Sequence, residues 1–351
     1  MADREVCIVP ATSAARRSIR RHFRERKADS VSLIQPCAAK YVKGRRQQRL
    51  SYSKGGRALM LKLTNVTKTF NKGTVNEKPA LRGVNLDLAD GDFVTVIGGN
   101  GAGKSMLLDI VAGVFPPDGG TIELGGKDVS RLPEYKRAAN LGRVFQDPMR
   151  GTAADMQIDG NLALAARRGQ HRGLAWGIGK SERESYVDRL RELDLDFETR
   201  MTSKVGLLSG GQRQALTLLM AALRKPKLLL LEEHTAALDP KTAAKVLSLT
   251  QKLVNENGLT TLMVTHNMHD AIRLGNRLIM MHEGQIIYDV RGEEKAKLEV
   301  ADLLKKFEEV SGGELANDRM LLSQSFPFTD CNKEPLPFHQ RTGEALSFMT
   351  Q

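Results

Sequence analysis

The chain has 351 residues, 41% of them hydrophobic, and a formal net charge of +12. This length is enough for one large domain or two modest ones, and no apolar run approaches the roughly 18 residues needed to span a bilayer. We therefore expect that the protein is not itself a pore. Its three cysteines are too few and too scattered for a disulfide framework or a metal cluster, which favours a reducing, cytosolic setting.

The first segment, residues 1–59, carries almost all of the excess charge. It has 15 basic and 4 acidic side chains, a net +11, whereas the remaining 292 residues have a net +1. Because the rest of the chain is nearly neutral, we expect no nucleic-acid partner. The segment has no hydrophobic core for a signal peptide, and we predict a disordered extension, with Met60 as the working initiator. A transit peptide and a basic cluster that binds anionic lipid remain alternatives.

A phosphate-binding loop is predicted after the first strands. Two or three strands lie between Leu61 and Leu88, and an apolar, β-branched strand covers Phe93–Ile97. The next residues, Gly98–Ser105, have the spacing G-x-x-x-x-G-K-[ST], with a predicted helix after them. Glycines let backbone N–H groups converge on phosphates, and the helix N-terminus adds partial positive charge. Lys104 would add a point charge and Ser105 a hydroxyl for Mg²⁺.

The composition changes between Gln146 and about Arg224, beyond a turn and a short strand at Thr121–Leu124. Alanine, leucine and arginine dominate this stretch, and their pattern is helical. We therefore predict a helical insert over residues 147–224.

The end of this insert contains Leu208–Gln212, with the sequence Leu-Ser-Gly-Gly-Gln, directly before a predicted helix. Serine and glycine at this position suit a helix-capping loop. A helix N-terminus of this kind also attracts an anion. The residues considered alone leave both interpretations open.

An unbroken apolar run, Leu228–Leu231, ends in the carboxylates of Glu232 and Glu233. Such a run suits a strand covered on both faces of a parallel sheet, and its C-terminal end is where open α/β sheets bind ligands. One carboxylate can hold Mg²⁺ through its water shell, and the other can take a proton from an attacking water. A core strand that enters an acidic loop is the alternative.

Strand and helix patterns alternate from Lys227 to about Val290, which predicts a parallel α/β sheet. Within residues 291–310, one amphipathic helix is predicted from Glu293 to Val310. Its apolar face is expected to contain Leu298, Ala301, Leu304 and Phe307. The polar tail, residues 311–351, is predicted to be disordered, without a core of its own.

From about Met60 to Val310 the chain resembles the ATP-binding cassette (ABC) ATPases, the nucleotide-driven subunits of membrane transporters. Six motifs follow in the family's order: the phosphate loop Gly98–Ser105, the glutamine Gln146, the signature Leu208–Gln212, the acidic strand ending at Glu232 and Glu233, the D-loop Ala237–Asp239, and the histidine His266. The resemblance implies an ABC ATPase domain over residues 60–290. Its expected fold class is α/β, a P-loop NTPase (RecA-like) parallel-sheet core with an antiparallel β subdomain and an inserted α-helical signature subdomain.

The resemblance also implies roles for single residues. Glu233 would be the general base, His266 would reach the γ-phosphate, and Gln146 would sense Mg²⁺ and that phosphate. ATP and Mg²⁺ are the implied cofactors, with Mg²⁺ at Ser105, Gln146 and Glu232. The implied nucleotide-binding set is Phe70, against adenine, with Gly98, Asn100, Gly101, Ala102, Gly103, Lys104, Ser105, Met106, Ser209, Gly210, Gly211, Gln212 and Asp239.

Three residues depart from the family's usual pattern. Glu232 stands where the family normally has aspartate, and because Mg²⁺ demands near-ideal octahedral geometry, we expect the extra methylene to raise the Mg²⁺ requirement. His234 replaces a common proline, and Met106 replaces the usual threonine. Neither change removes a group to which chemistry is assigned.

Partners also follow from the resemblance. The family sandwiches two ATP molecules between two head-to-tail cassettes, which implies a homodimer. It also implies an integral membrane permease subunit and an extracytoplasmic substrate-binding protein, with this chain at the cytoplasmic face of the membrane. Chromosome-maintenance and ribosomal ABC proteins fit poorly, because Gln146 and Ser209 are only 63 residues apart and each motif occurs once.

Three strings resemble the ATPases of bacterial importers proposed to carry aromatic amino acids: Asn161–Ala165, Glu233–Pro240 and Gly275–Gly284. This similarity favours import of a solute such as an amino acid. The ATPase of an exporter or lipid mover, or a soluble ABC ATPase without a transport role, remains the alternative.

Overall fold

A computed structural model describes residues 58–170 and 177–311 of the chain. The predicted disordered segments, residues 1–59 and 311–351, lie outside these ranges except at their edges. None of the described helices is long and apolar enough to span a membrane.

Strands and helices alternate along most of the described part of the chain. The strands are β1 (Leu59–Phe70), β2 (Lys78–Ala89), β3 (Phe93–Gly98), β4 (Gly119–Leu124), β5 (Lys127–Asp128), β6 (Leu141–Val144), β7 (Leu228–Glu232), β8 (Thr261–Val264), β9 (Arg277–His282) and β10 (Gln285–Arg291). The helices are α1 (Lys104–Ala112), α2 (Glu134–Arg137), α3 (Ile158–Ala166), α4 (Lys180–Arg191), α5 (Gly210–Ala222), α6 (Pro240–Asn257), α7 (Met268–Arg273), α8 (Gly292–Ala296) and α9 (Val300–Ser311).

The core is a six-stranded sheet in the order β10-β9-β3-β8-β7-β6. The strands from β9 to β6 are parallel, and β10 is an antiparallel edge strand on β9. The residues Leu228–Leu231 of β7 are each 0% exposed, because helices cover both faces of a parallel sheet. The unbroken apolar run in the sequence is therefore explained by its position inside this sheet.

A second sheet is antiparallel, in the order β2-β1-β4-β5. Its inner residues join those of α1 and one face of the core sheet in a single apolar cluster that includes Leu63, Leu86, Leu108 and Ile122. Two long strands occupy the segment for which two or three were predicted. This cluster fixes the position of α1, and so of the loop before it.

The predicted helical insert contains α3, α4 and α5. Buried side chains of these helices, among them Leu162, Leu190 and Leu216, form a second apolar cluster with Leu231 of β7. In this way α5 packs on the core sheet, while Ser209 and Gly210 at its start remain exposed.

The C-terminal segment differs from the prediction of one helix, since it forms α8 and α9. The buried Lys295 donates hydrogen bonds to the carbonyls of Leu274 and Gly275 after α7, which ties α8 to the core. The Glu299 backbone N–H donates to the Asp302 carboxylate at 2.9 Å. This hydrogen bond caps the start of α9 as a separate helix. The predicted apolar face is also partly wrong. Leu303 and Phe307 are buried, Leu298 and Leu304 are partly buried, and Ala301 is exposed.

Candidate active site

Three parallel strands bring the predicted motifs to one edge of the core sheet. β3 pairs with β8 through Val96 and Val264, and β7 pairs with β8 through Glu232 and Val264. The C-terminal ends of parallel strands meet at one edge, where such sheets bind ligands. The loop after β3, the carboxylates at the end of β7 and His266 after β8 therefore lie close together.

The loop after β3 requires glycine at two positions. Gly98 and Gly103 have φ angles of 153° and 95°, and a Cβ atom at either would lie 2.2 Å from the Met281 carbonyl oxygen or 2.7 Å from that of Ala80. Residues other than glycine rarely adopt such angles. Close packing against two other strands, in addition to turn geometry, selects glycine here.

Lys104, the first residue of α1, turns its side chain back into this loop. The residue is 6% exposed, and its Nζ donates to the carbonyls of Gly98 and Gly99 at 2.7 and 2.9 Å. A buried ammonium group at a helix N-terminus suits an anion such as phosphate. The loop therefore has the charge and backbone geometry of a phosphate site.

The other residues of the predicted phosphate site divide into two groups. Asn100, Gly101 and Ser105 are exposed. Ala102 is buried, and Met106 packs against the core. The side chains of this second group face the protein interior, so only their backbone N–H groups are available to a ligand.

Glu233, the predicted general base, lies against the predicted histidine. Its Oε1 is 2.5 Å from His266 Nε2, and the Glu233 side chain is 9% exposed, against 37% for His266. Glu233 also has a φ of 41°, a left-handed conformation that is rare outside glycine. Strain of this kind costs about 1–3 kcal/mol and occurs often at functional sites. Two residues placed at the site by their motifs therefore form a direct pair.

Glu232, the last residue of β7, makes a different ion pair. Its Oε2 accepts a hydrogen bond from Arg143 Nη2 at 2.9 Å, and the same nitrogen donates to Asp109 of α1 at 2.7 Å. The sequence reasoning missed Arg143. The available signal was a basic residue within the otherwise apolar strand β6, three positions before Gln146.

Gln146 follows β6 and is exposed. Its neighbour Phe145 has the guanidinium carbons of Arg143 and Arg150 at 4.6 and 5.0 Å from its ring centre. The Phe145 carbonyl accepts from Gln214 Nε2 of α5 at 3.3 Å. This fully buried glutamine, also missed, joins the segment of Gln146 to the helix that follows Leu208–Gln212.

Ser209 and Gln212 form a capping box at the start of α5. Ser209 Oγ accepts from the Gln212 backbone at 3.3 Å, and the Gln212 side chain accepts from the Ser209 backbone at 3.1 Å. Gly210 is exposed, and a Cβ atom on Gly211 would lie 1.9 Å from Thr242 Cγ2 in α6. The capping interpretation is thus confirmed, and the anion-binding interpretation remains a prediction.

Two further predicted residues lie at element ends. Asp239 is exposed and caps α6, because its Oδ1 accepts from the Thr242 backbone at 3.0 Å; the hydrogen bond from Thr242 lowers the pKa of Asp239. Phe70, at the end of β1, is partly buried and packs edge-on against Phe115, with ring centres 5.4 Å apart. Its ring lies beside the end of α1, where Phe115 follows.

The chain is similar to known proteins over most of the described region. Residues 81–236 match the model of a family described as ABC transporter. The tyrosine transport ATP-binding protein of Clostridioides difficile (strain R20291) is 43% identical over 249 residues, which cover 71% of this chain and 99% of that relative. The spermidine/putrescine import ATP-binding protein PotA of Spiroplasma citri is 34% identical over 65% of this chain, which spans only 60% of that relative.

A solved structure has the same architecture. It is the ATP-binding cassette MJ0796, a dimer in a post-hydrolysis state bound to ADP and Pi, with a TM-score of 0.58 and 30% sequence identity. The similarity covers 66% of this chain and 98% of that one. The predicted fold class, with its parallel core, antiparallel subdomain and helical insert, is confirmed.

Proposed function

Because the chain belongs to the ABC transporter family of ATP-binding proteins, we propose that it is the ATP-hydrolysing subunit of a transporter that imports a solute. ABC ATPases bind and hydrolyse ATP, and this chain is one of them. The observation that carries the proposal is the contact between Glu233 and His266, 2.5 Å long, at the sheet edge that also carries the phosphate loop. This arrangement suits activation of a water molecule next to a bound triphosphate.

The phosphate loop would bind ATP through its backbone N–H groups and Lys104. In the described structure Lys104 Nζ donates to two carbonyls of its own loop, so phosphate oxygens would replace these acceptors or share the ammonium group. Phe70 would lie against the adenine. These contacts position the γ-phosphate at the edge of the sheet, where Glu233 and His266 lie.

Mg²⁺ is a proposed cofactor whose ligands would come from Ser105, Gln146 and Glu232. A hydroxyl, an amide oxygen and a carboxylate are hard oxygen ligands, the type that Mg²⁺ prefers. Ser105 and Gln146 are exposed, so both are accessible to a nucleotide-bound ion. When bound, Mg²⁺ would neutralise charge on the phosphate oxygens.

Glu233 is the proposed general base. Its carboxylate would accept a proton from the attacking water, and His266 would keep that carboxylate in place and contact the γ-phosphate. A positioned base of this kind contributes roughly 10²–10⁴-fold in rate. The left-handed backbone of Glu233 aims its side chain at His266 rather than along the strand.

Substitution of Glu233 tests the proposal. Glu233→Gln keeps the size of the side chain but removes the base, so we expect ATP binding to be retained and hydrolysis to fall by roughly 10²–10⁴-fold. Glu283→Gln is the matched control, because Glu283 also has a left-handed backbone, with φ of 43°, and pairs with Arg82 at the surface. Wild-type turnover in Glu233→Gln would contradict the assignment.

The transport role of the proposal rests on relatives. Tyrosine transport and spermidine/putrescine import are named for two of them, and this supports import of a small solute such as an amino acid. The complete machine would contain two copies of this chain, head to tail, an integral membrane permease and an extracytoplasmic substrate-binding protein. This chain would lie at the cytoplasmic face of the membrane, without contact to the solute.

Co-purification tests that part. We expect the full chain to recover an integral membrane subunit, and one solute, added with its binding protein, to stimulate ATP hydrolysis in reconstituted vesicles. Stimulation by a lipid or an exported compound would favour the exporter or lipid-mover alternative. Failure to recover any integral membrane subunit would favour a soluble, non-transport ATPase.

A further inference from the structure

Arg143 joins three elements of the site at one point. From strand β6 it reaches Asp109 on α1, at 2.7 Å, and Glu232 at the end of β7, at 2.9 Å. Its guanidinium also lies on the ring of Phe145, next to Gln146. The phosphate-loop helix, the acidic strand and the glutamine segment thus share one cation.

This cation is largely withdrawn from water. The Arg143 and Glu232 side chains are 12% and 13% exposed, and that of Asp109 is 22% exposed. Arg143 makes both ion pairs through the single nitrogen Nη2, and its buried Nε has no hydrogen-bond partner. Water screens charges weakly at such a site, so the interactions among the three groups are stronger than those of exposed ion pairs.

We propose that Arg143 is a positioning residue that holds Glu232 toward α1 and thereby raises the Mg²⁺ concentration needed for nucleotide binding. The inference rests on the proposed function, in which Glu232 faces Mg²⁺. The sequence alone attributes a raised requirement to the length of the Glu232 side chain. The structure supplies a different cause, a competing cation.

The reason is electrostatic. With Arg143 present, the two carboxylates and one guanidinium have a net charge of −1; without it, the net charge is −2. Without Arg143, a divalent cation near Glu232 is attracted more strongly, because the net charge is −2. It also no longer competes with a guanidinium for the Glu232 carboxylate. Glutamate reaches one methylene further than aspartate, and in this chain the carboxylate contacts Arg143.

The main test measures binding without turnover. The full chain is titrated with a non-hydrolysable ATP analogue at a series of free Mg²⁺ concentrations, and the midpoint of the Mg²⁺ dependence is recorded. We expect Arg143→Met to lower that midpoint roughly tenfold, with the affinity in EDTA unchanged. Arg143→Lys, which keeps the charge, should stay near the wild-type midpoint. A shift of less than about twofold in Arg143→Met, or a shift upward, overturns the inference.

Arg150→Met is the matched control, because Arg150 stacks on the same Phe145 ring and, among the described residues, has no ion pair with an acidic side chain. Its midpoint should not move.

Since Arg143→Met also removes two ion pairs and can reduce folding stability, Asp109→Asn gives a second measurement of opposite sign. That variant leaves Arg143 wholly to Glu232, so the midpoint should rise; a fall would contradict the proposal.

A double-mutant cycle separates the two causes of a raised requirement. Glu232→Asp shortens the carboxylate and should lower the midpoint in the wild-type background, but should have little further effect in Arg143→Met. An equal effect in both backgrounds would show that side-chain length acts by itself, and would overturn the role of Arg143. Binding without any Mg²⁺ dependence in the wild-type chain would instead reject the proposed Mg²⁺ site at Glu232, and this inference with it.

Discussion

At the scale of single residues, the loop after β7 holds a buried titratable group. His234 directly follows the acidic pair and is 2% exposed. Its Nε2 lies 3.0 Å from Thr250 Oγ1 of α6, and its Nδ1 has no hydrogen-bond partner. Burial lowers the pKa of His234 from 6.5 to about 4, because the charged ring would lose its hydration. The folded protein therefore keeps this ring neutral at pH values where the unfolded chain binds a proton.

This difference predicts a pH dependence of stability. Well above pH 6.5 the ring is neutral in both states, and between pH 6.5 and about 4 the unfolded chain is mostly protonated while the folded chain is mostly neutral. The free energy of unfolding should fall by roughly 3 kcal/mol in all as the pH is lowered through this window. Urea unfolding in EDTA, without nucleotide, measures this loss against His234→Leu. An equal loss in that variant would exclude His234 as the cause.

At the scale of secondary-structure elements, α1 carries the phosphate loop at its start and is fixed by Arg137 at its end. Arg137 is 1% exposed. Its guanidinium donates to the carbonyls of Ile110 and Val111, at 2.7 and 3.0 Å, and to those of Ser130 and Leu132. The last carbonyls of a helix lack the usual donor from the next turn. The Ile110 carbonyl also accepts from the Gly113 backbone at 3.2 Å, and Arg137 supplies a donor to that of Val111.

Removal of Arg137 should therefore destabilise the whole element. We expect Arg137→Met to lower the free energy of unfolding by about 3 kcal/mol, since several buried carbonyls lose a charged donor. Urea denaturation of the nucleotide-free protein measures the change. The exposed neighbour Lys136 provides a control, and Lys136→Met should stay within about 0.5 kcal/mol of wild type. Equal stabilities of the two variants would refute this role of Arg137.

The contact of α5 with α6 depends on Gly211. Gly211 leaves room for the Thr242 methyl group, which a Cβ atom would approach to 1.9 Å. Within Leu208–Gln212, packing against α6 therefore requires glycine at Gly211, whereas Ser209 and Gly210 are exposed. Only the exposed face is available to another molecule.

At the scale of the whole molecule, that exposed face is the proposed contribution of one copy to the nucleotide of another. Ser209 already caps its own helix, and the start of that helix carries a partial positive charge. A solved cassette with 30% identity is a dimer in its ADP-bound and Pi-bound state. A single copy should consequently bind ATP but hydrolyse it poorly.

Substitution of Ser209 by arginine tests the composite site, in which the exposed face at Ser209 of one copy contacts the nucleotide bound to another copy. We expect Ser209→Arg to bind ATP with wild-type affinity. Hydrolysis that needs two copies rises with protein concentration, and we expect the variant to lose nearly all of this concentration-dependent turnover. The lost helix cap costs only about 1 kcal/mol of stability, which a melting curve can separate from the loss of activity. Ser248→Arg places the same side chain on the exposed face of α6 and should behave as wild type. Unchanged concentration-dependent turnover in Ser209→Arg would argue against the composite site.

The sequence by itself determined the elements and motifs that depend on local spacing. The apolar run Leu228–Leu231 and the glycine pattern of Gly98–Ser105 predict a buried strand and a phosphate loop, because side-chain periodicity and backbone freedom are properties of neighbouring residues. Their order along the chain was also enough to identify the family.

Tertiary structure alone decided which of these residues meet. Arg143 and Glu232 are 89 positions apart, and their contact follows from the pairing of β6 with β7. The pair of Glu233 and His266 likewise depends on β7 lying beside β8. The break between α8 and α9 arises where Lys295 reaches the carbonyls after α7. Sequence spacing carries no information about such distances, because strand order in a sheet is set by packing of the whole core.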